Sequence, residues 1–126
     1  MEKITPKDFE RLNLRVGTIK GVQKHPLIDE YILLIDLGPA EQDVQVVADL
    51  KESYSMKALM GKQVLVVINV EAEEVRGVET QGILLITHLK GKPVLLSPEK
   101  KVETGVQVGG VFDIERHYHH QPGKGC

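Results

Sequence analysis

The stretch Ser55-Met-Lys-Ala-Leu-Met-Gly61 decides the fold, because it is a helix signal set among strand signals. Ser55 can cap the first turn, and the five residues that follow it favour a helix. Gly61 can end that helix in the left-handed conformation, which glycine adopts easily. We therefore expect one short helix that separates the strands before it from the strands after it.

Runs of apolar and β-branched residues, each of strand length, lie on both sides of this helix. The first run, 14–22, carries apolar side chains on even positions, and Gly17 and Gly21 allow a bend or bulge. The other four runs are 31–37, 44–47, 64–68 and 83–86. Five strands with a helix between the third and the fourth predict an OB-fold, an all-β barrel that binds ligands on strands 2 and 3 and on two flanking loops. The pattern alone leaves a different small barrel or a sandwich open.

Further elements flank these five strands. Thr5-Pro6-Lys7-Asp8 is a helix start, so an N-terminal helix is expected at about residues 6–11. After a turn at 91–93, a short strand at 94–96 and an extended segment at 106–114 exceed what a five-stranded barrel needs. We predict a single OB-fold domain at 1–115, with N- and C-terminal extensions that serve dimerisation, and a flexible tail at 116–126.

Composition limits the class of protein. The 126 residues carry a net charge of -2, which argues against coating nucleic acid by bulk attraction, so any polyanion site must be a local patch. No apolar run approaches the roughly 18 residues of a membrane span. The N-terminus lacks a secretory pattern, and the only cysteine is Cys126, so no internal disulfide can form and a cytoplasmic location is expected.

Residues for catalysis or metal binding are not evident. The sequence shows no Ser-His-Asp set, no catalytic cysteine, no phosphate-cradling glycine loop and no convincing carboxylate pair. His117, His119 and His120 are spaced like metal ligands, but they lie in the polar tail. We therefore expect a binding protein rather than an enzyme, with no cofactor and no metal.

An ordered set of short motifs extends from about residue 8 to residue 110. It consists of Asn13-Leu-Arg-Val-Gly17, His25-Pro26 with Asp29, Ile35-Asp-Leu-Gly38, Gly61-Lys62, Asn69 and Arg76-Gly-Val-x-x-x-Gly82. The set resembles the tRNA-binding domain family, which includes the appended domain or β-subunit of methionyl-tRNA synthetase, a domain of bacterial phenylalanyl-tRNA synthetase β chains, and the stand-alone CsaA proteins. The resemblance implies an OB-fold that grips structured tRNA without chemistry, as a homodimer or beside an aminoacyl-tRNA synthetase.

The resemblance places the binding residues on the loops 25–30 and 69–81. Arg76 would set its guanidinium on a phosphate, while neutral side chains near it would reach sugar or base edges. The candidate nucleic-acid contacts are Lys24, His25, Asn69, Arg76, Thr80 and Gln81. Other roles stay open, because Arg76 could pair with an acid of its own loop and His25 could be a local hydrogen-bond partner. Five lysines could form a basic rim or simply be solvated: Lys20, Lys24, Lys51, Lys57 and Lys62.

The loop 69–81 is more acidic than the family pattern. Glu71 and Glu74 stand where the family often has lysines, and Glu30 replaces a basic residue of the first loop. Because each phosphate contact contributes roughly one unit to the salt dependence of binding, weak tRNA binding is expected. The acidic loop also fits an alternative, a CsaA-like dimeric chaperone that binds basic peptide segments and little RNA.

The apolar residues beyond the fifth strand predict a homodimer. Together they form a set too large to leave in water: Val94, Leu95, Leu96, Val102, Val106, Val108, Val111, Phe112 and Ile114. They could cover the chain's own barrel, or they could join the N-terminal helix in an isologous interface with a second copy. The family resemblance favours the interface.

Overall fold

The computed structural model describes residues 1–39 and 41–111. Its helices are α1 (Pro6–Phe9) and α2 (Met56–Leu59). Its strands are β1 (Leu14–Lys24), β2 (Tyr31–Asp36), β3 (Val44–Ala48), β4 (Gln63–Val67), β5 (Glu73–Val75), β6 (Val78–Thr80), β7 (Ile83–Leu84), β8 (Ile86–Leu89) and β9 (Lys92–Leu95). Five strands in the order β3-β2-β1-β4-β7 form an antiparallel, nearly closed barrel. The predicted all-β barrel, with a helix between its third and fourth strands, is confirmed.

The long strand β1 has two partners in this barrel. Its residues 14–18 pair with β4 and its residues 18–24 pair with β2, and the register shifts just before Gly21. Gly17 lies near the changeover, where a β-carbon would collide with the side chain of Ile35. The predicted irregularity in the first strand is therefore present, and it lets one strand serve two neighbours.

Aliphatic side chains from β1, β2, β4 and α2 fill the barrel interior. Those with no exposed area are Ile19, Leu33, Ile35, Leu59, Val64 and Val66. Leu59 is the only buried residue of α2, and Ser55 caps this helix by accepting the Ala58 N–H at 3.1 Å. This helix, which lies between β3 and β4, thus reaches the core chiefly through one leucine.

Side chains close the barrel at the edge of β3. Gln81 Oε1 accepts the Gln45 N–H at 2.8 Å, while the Gln81 N–H donates to the Gln45 carbonyl at 2.7 Å. Thr80 Oγ1 accepts the Val47 N–H at 3.1 Å. Three backbone groups of this edge strand, on Gln45 and Val47, are therefore satisfied by the end of β6 and the residue that follows it.

The residues beyond β7 pack back on their own barrel. Strands β8 and β9 form a hairpin, and residues 105–108 run beside the first half of β1, where Val16 exchanges backbone hydrogen bonds with Val106 and Gly105. Leu95 is buried in the core. Four further members of the apolar set are half-buried: Val94, Leu96, Val106 and Val108. Much of this set therefore covers the barrel itself, while Phe112 and Ile114 lie outside the described residues.

Several predicted elements differ in their bounds from the structure. The first helix ends at Phe9, and the predicted strand 83–86 is divided into β7 and the beginning of β8. The predicted loop 69–81 contains the β5–β6 hairpin, because Val75 and Val78 pair across a two-residue turn. The predicted extended segment 106–114 is paired through Val108, and the predicted tail 116–126 falls outside the described residues.

Leu59→Ala should lower the free energy of unfolding by about 3 kcal/mol, because it leaves a cavity in a fully buried site. The adjacent Met60 is half-exposed, so Met60→Ala is the matched control and should change stability by less than about 1 kcal/mol. Urea denaturation followed by circular dichroism measures both variants. Equal losses would contradict the position assigned to α2.

Candidate nucleic-acid interface

His25 joins the β1–β2 loop to the β5–β6 hairpin. Its side chain is 5% exposed, and its Nδ1 accepts the Leu27 N–H at 3.0 Å. The proton of a neutral imidazole is then on Nε2, which donates to the Val75 carbonyl at 2.9 Å. Of the two roles open to His25, the local hydrogen-bond partner is the one that the structure shows. The two loops predicted to bind the ligand are therefore held side by side.

The β5–β6 hairpin ends in a strained two-residue turn. Val75 pairs with Val78, and both central residues have positive φ angles, 49° at Arg76 and 90° at Gly77. Positive φ at both positions is the type I′ geometry, which favours asparagine and glycine. An arginine in the first position costs about 1 kcal/mol or more. The turn places an exposed Arg76 at the tip of the hairpin.

Arg76 is surrounded by glutamates with which it forms no ion pair within the described part of the chain. Glu74 and Glu79 lie directly opposite each other on β5 and β6, an arrangement that destabilises a hairpin. Glu73 pairs with Thr80. The pairing of Arg76 with an acid of its own loop, left open above, is therefore not formed here.

Asn69 fastens the start of this segment to the N-terminal residues. Its Oδ1 accepts the Asn13 N–H at 2.7 Å, and its Nδ2 donates to the Arg11 carbonyl at 2.7 Å. Its side chain thus has a structural role, and contact with nucleic acid stays a prediction that would use the second Nδ2 proton.

Thr80 and Gln81 lie at the closed edge of β3. Beyond its bond to β3, Gln81 donates from Nε2 to Glu79 Oε1 at 3.1 Å. Thr80 Oγ1 accepts from Val47, so its hydroxyl proton can still be donated to a ligand. Both residues are half-buried, and their predicted contacts with nucleic acid are not tested by this geometry.

Three of the five lysines considered for a basic rim have partners within the chain. Lys20 pairs with Asp43 at 2.6 Å and Lys51 pairs with Asp29, and hydrogen bonds to these carboxylates raise the pKa of each lysine. The Nζ of Lys62 lies 5.9 Å from the centroid of the Tyr54 ring. Lys24 and Lys57 are exposed and form no ion pair among residues 1–39 and 41–111. Only Lys24 of these two was predicted as a binding residue, and it lies beside His25.

A cleft of about 460 Å³ opens between the two hairpins of the protein. One wall contains Glu73 and Thr80 from the β5–β6 hairpin, and the other contains His88, Gly91 and Pro93 from the β8–β9 hairpin. The floor is formed by residues of β3 and β7 and by the residues next to these strands: Val46, Val47, Ala48, Asp49, Leu50, Gly82, Ile83 and Leu84. Such a volume is typical of ligand sites.

The β8–β9 wall of this cleft was missed by the sequence reasoning. Lys90 and Gly91 form a second two-residue turn with positive φ angles of 52° and 80°. A Lys-Gly step between two apolar runs could have indicated this hairpin, since Xaa-Gly is a signal for the type I′ turn. The predicted turn at 91–93 is wrong, because the turn lies at Lys90 and Gly91, and Lys92 and Pro93 belong to β9.

Neither a metal site nor a membrane span is found in the described residues. No group of three or more metal-ligating side chains occurs among residues 1–39 and 41–111. The three tail histidines lie outside these ranges. No helix within these ranges is long and apolar enough to cross a membrane.

The structure is a small barrel in which two loops are joined by His25 beside a cleft, an arrangement typical of a binding domain. The chain belongs to the tRNA-binding domain family, because the family model described as "Putative tRNA binding domain" matches residues 14–107. The predicted resemblance is thereby confirmed.

Relatives of known sequence include methionine–tRNA ligases. The chain is 41% identical over 109 residues to that of Pyrococcus horikoshii and 37% identical over 108 residues to that of Archaeoglobus fulgidus. These matches cover 86% and 85% of this chain but only 15% and 16% of the ligases. The chain therefore spans about 15% of the length of these relatives.

Solved structures show the same fold. The chaperone CsaA of Bacillus anthracis is 27% identical with a TM-score of 0.76, and the match covers 86% of this chain and 100% of that one. A MetRS-related protein of Pyrococcus horikoshii is 26% identical with a TM-score of 0.77, covering 86% and 99%. The C-terminal domain of Plasmodium vivax p43 is 31% identical with a TM-score of 0.70, covering 77% and 59%.

His25→Ala should separate the two loops, because it leaves the Leu27 N–H and the Val75 carbonyl without their partner. The expected loss of stability is about 1–3 kcal/mol, together with faster amide hydrogen exchange in both loops. Lys24→Ala, at an exposed neighbouring position, is the control and should leave exchange unchanged. Exchange that is accelerated equally by both variants would contradict the role assigned to His25.

Proposed function

We propose that this protein is a non-catalytic module that binds structured tRNA through the β1–β2 loop and the tip of the β5–β6 hairpin. The observation that carries the proposal is the pair of hydrogen bonds made by His25 in a member of the tRNA-binding domain family. They hold the two loops as one surface before any ligand arrives. A preorganised surface lowers the entropic cost of binding a large, structured RNA.

The chemistry of the hairpin tip suits contact with the RNA backbone. Arg76 is exposed and without an ion-pair partner in residues 1–39 and 41–111, so its guanidinium can meet a phosphate with two parallel hydrogen bonds. The hydroxyl proton of Thr80 and the second Nδ2 proton of Asn69 add neutral donors on the same segment. Such contacts position an RNA without reading its sequence.

The surrounding acids limit the affinity of this surface. Glu71, Glu73, Glu74 and Glu79 are all exposed, and they lower the local potential that attracts phosphates. At physiological salt the repulsion is screened beyond about 8 Å, so it acts on the nearest phosphates only. We therefore propose weak binding that rests on few phosphate contacts and has a shallow salt dependence.

Arg76→Ala should weaken binding to every tRNA tested, because it removes the cation at the hairpin tip. The expected loss is roughly fivefold at low salt, with a salt slope lower by about one. Arg11→Ala is the matched control, since the Arg11 side chain is 82% exposed and lies outside both loops. Fluorescence anisotropy with labelled tRNA gives the affinities. Equal binding by wild type and Arg76→Ala would contradict the proposed surface.

One observation favours a second function, the binding of basic peptide segments in the cleft. Asp49 and Glu73 line it together with apolar residues such as Ile83, Ile86 and Pro93, a combination that suits a peptide with lysine or arginine beside apolar side chains. The Bacillus anthracis relative of similar fold is a chaperone by its title. A basic peptide that binds the protein and is not displaced by tRNA would support this alternative.

The wider setting is proposed from the relatives. Association with an aminoacyl-tRNA synthetase is supported by the methionine–tRNA ligases that contain a segment similar to this chain. A cytoplasmic location fits that association, and a single cysteine, Cys126, fits a reducing compartment.

We also propose a homodimer, although much of the C-terminal apolar set covers its own barrel. Apolar side chains that stay exposed include Ile4, Leu12, Val102 and Val111, at the N-terminal and C-terminal ends of the described chain. These ends can form the isologous contact. Sedimentation equilibrium at micromolar concentration should give about twice the 14.0 kDa of one chain, and Leu12→Glu with Val111→Glu should return the mass to one chain. A wild-type mass equal to that of one chain would contradict the proposed homodimer.

A further inference from the structure

We propose that the β8–β9 hairpin is a second phosphate-binding element, which contacts the tRNA backbone through Lys90 and Lys92. The inference rests on the tRNA binding proposed above and adds a surface outside the two loops. It follows from the charge of the hairpin, the backbone of its turn and its position beside the cleft. Each of these is a separate observation.

The two hairpins that flank the cleft carry opposite charge. Residues 71–81 hold four glutamates and one arginine, whereas residues 86–98 hold two lysines, one histidine and no acid. Lys90 and Lys92 are exposed, and neither forms an ion pair with any other residue that the structure describes. Phosphates approaching this side of the barrel are therefore attracted by β8–β9 and repelled by β5–β6.

The turn of the β8–β9 hairpin holds a lysine in an unfavourable conformation. Lys90 and Arg76 are the only non-glycine residues with positive φ among residues 1–39 and 41–111, and each precedes a glycine in a type I′ turn. Asparagine would fit the same position with less strain. A conformational cost of this kind persists where a side chain serves function rather than stability. Both hairpins thus place a cation at their tips.

Strand alternation divides the hairpin into two faces. His88 and Pro93 are cross-strand partners and both line the cleft. Leu89 and Lys92 are the next pair, so they lie on the opposite face, where Leu89 is 64% exposed. The cations therefore lie at the tip and on the outer face, away from the acids of the cleft.

This arrangement of charges determines on which side of the cleft the tRNA backbone lies. The RNA backbone crosses the tip and outer face of β8–β9, where Lys90 and Lys92 can neutralise phosphates. The carboxylates of Asp49 and Glu73, within the cleft, exclude phosphates and accept hydrogen bonds from ribose hydroxyls or base amino groups. The β8–β9 hairpin can then follow the phosphate backbone with two lysines, whereas β5–β6 meets it only at its tip, through Arg76.

The test compares two double variants in the full-length protein. Lys90→Ala with Lys92→Ala removes the proposed contacts, and Lys100→Ala with Lys101→Ala removes the same charge from exposed residues outside the hairpin. We expect the first variant to reduce tRNA affinity on the order of tenfold at low salt and to lower the salt slope by about two. The second should change either quantity little. Equal losses, or no loss in the first variant while wild type binds tRNA, would overturn the proposal.

A single substitution separates contact from folding. Lys90→Asn should raise the melting temperature, because asparagine suits the left-handed turn, and should still weaken tRNA binding. Lys90→Arg should keep the affinity near that of wild type. A stabilised Lys90→Asn variant with unchanged affinity would overturn the inference. If wild type binds no tRNA, the proposed function itself fails, and the hairpin proposal falls with it.

Discussion

The bend in β1 is the constraint on which the rest of the structure depends. One strand can pair with β4 along its first half and with β2 along its second only because the register shifts near Gly21 and because Gly17 leaves room for Ile35. In its first half, β1 has β4 on one side only, and residues 105–108 form hydrogen bonds with its other side. The barrel and the C-terminal segment are therefore organised around the same strand.

The same strand leads directly to the surface proposed to bind tRNA, because His25 follows its last residue. The ring is buried between two loops and bonded to the backbone of each, so the position of the β5–β6 hairpin is coupled to the end of the barrel. Asn69 performs the corresponding task where the segment before the hairpin begins, by binding the backbone at residues 11 and 13. Residues expected to touch the ligand thus act first as supports for the loops that would touch it.

The two hairpins that flank the cleft differ in charge. Residues 71–81 hold four glutamates and one arginine, while the lysines of β8–β9 form no ion pairs in the described chain. Lys20 and Lys51 were candidates for a basic rim. Lys20 forms an ion pair with Asp43 and Lys51 with Asp29, so both are less available to an RNA. In the proposed mode of tRNA binding, the balance of charge between the two hairpins, rather than the net charge of the chain, governs where the RNA approaches. Strain at Arg76 and Lys90 marks the same two tips.

Local patterns in the sequence determined the strands, the capped helix at Ser55 and the irregular first strand, because these depend on neighbouring residues. The order of short motifs along the chain also indicated the family. The sequence also predicted which two loops would bind the ligand, since the predicted fold class specifies the position of such loops. Only the tertiary structure decided what the side chains do there. It assigned His25 to backbone hydrogen bonds, set Thr80 and Gln81 against the edge of β3, and turned the predicted loop 69–81 into a hairpin. It also placed the β8–β9 hairpin across the cleft, a contact between segments distant along the chain that no local pattern encodes.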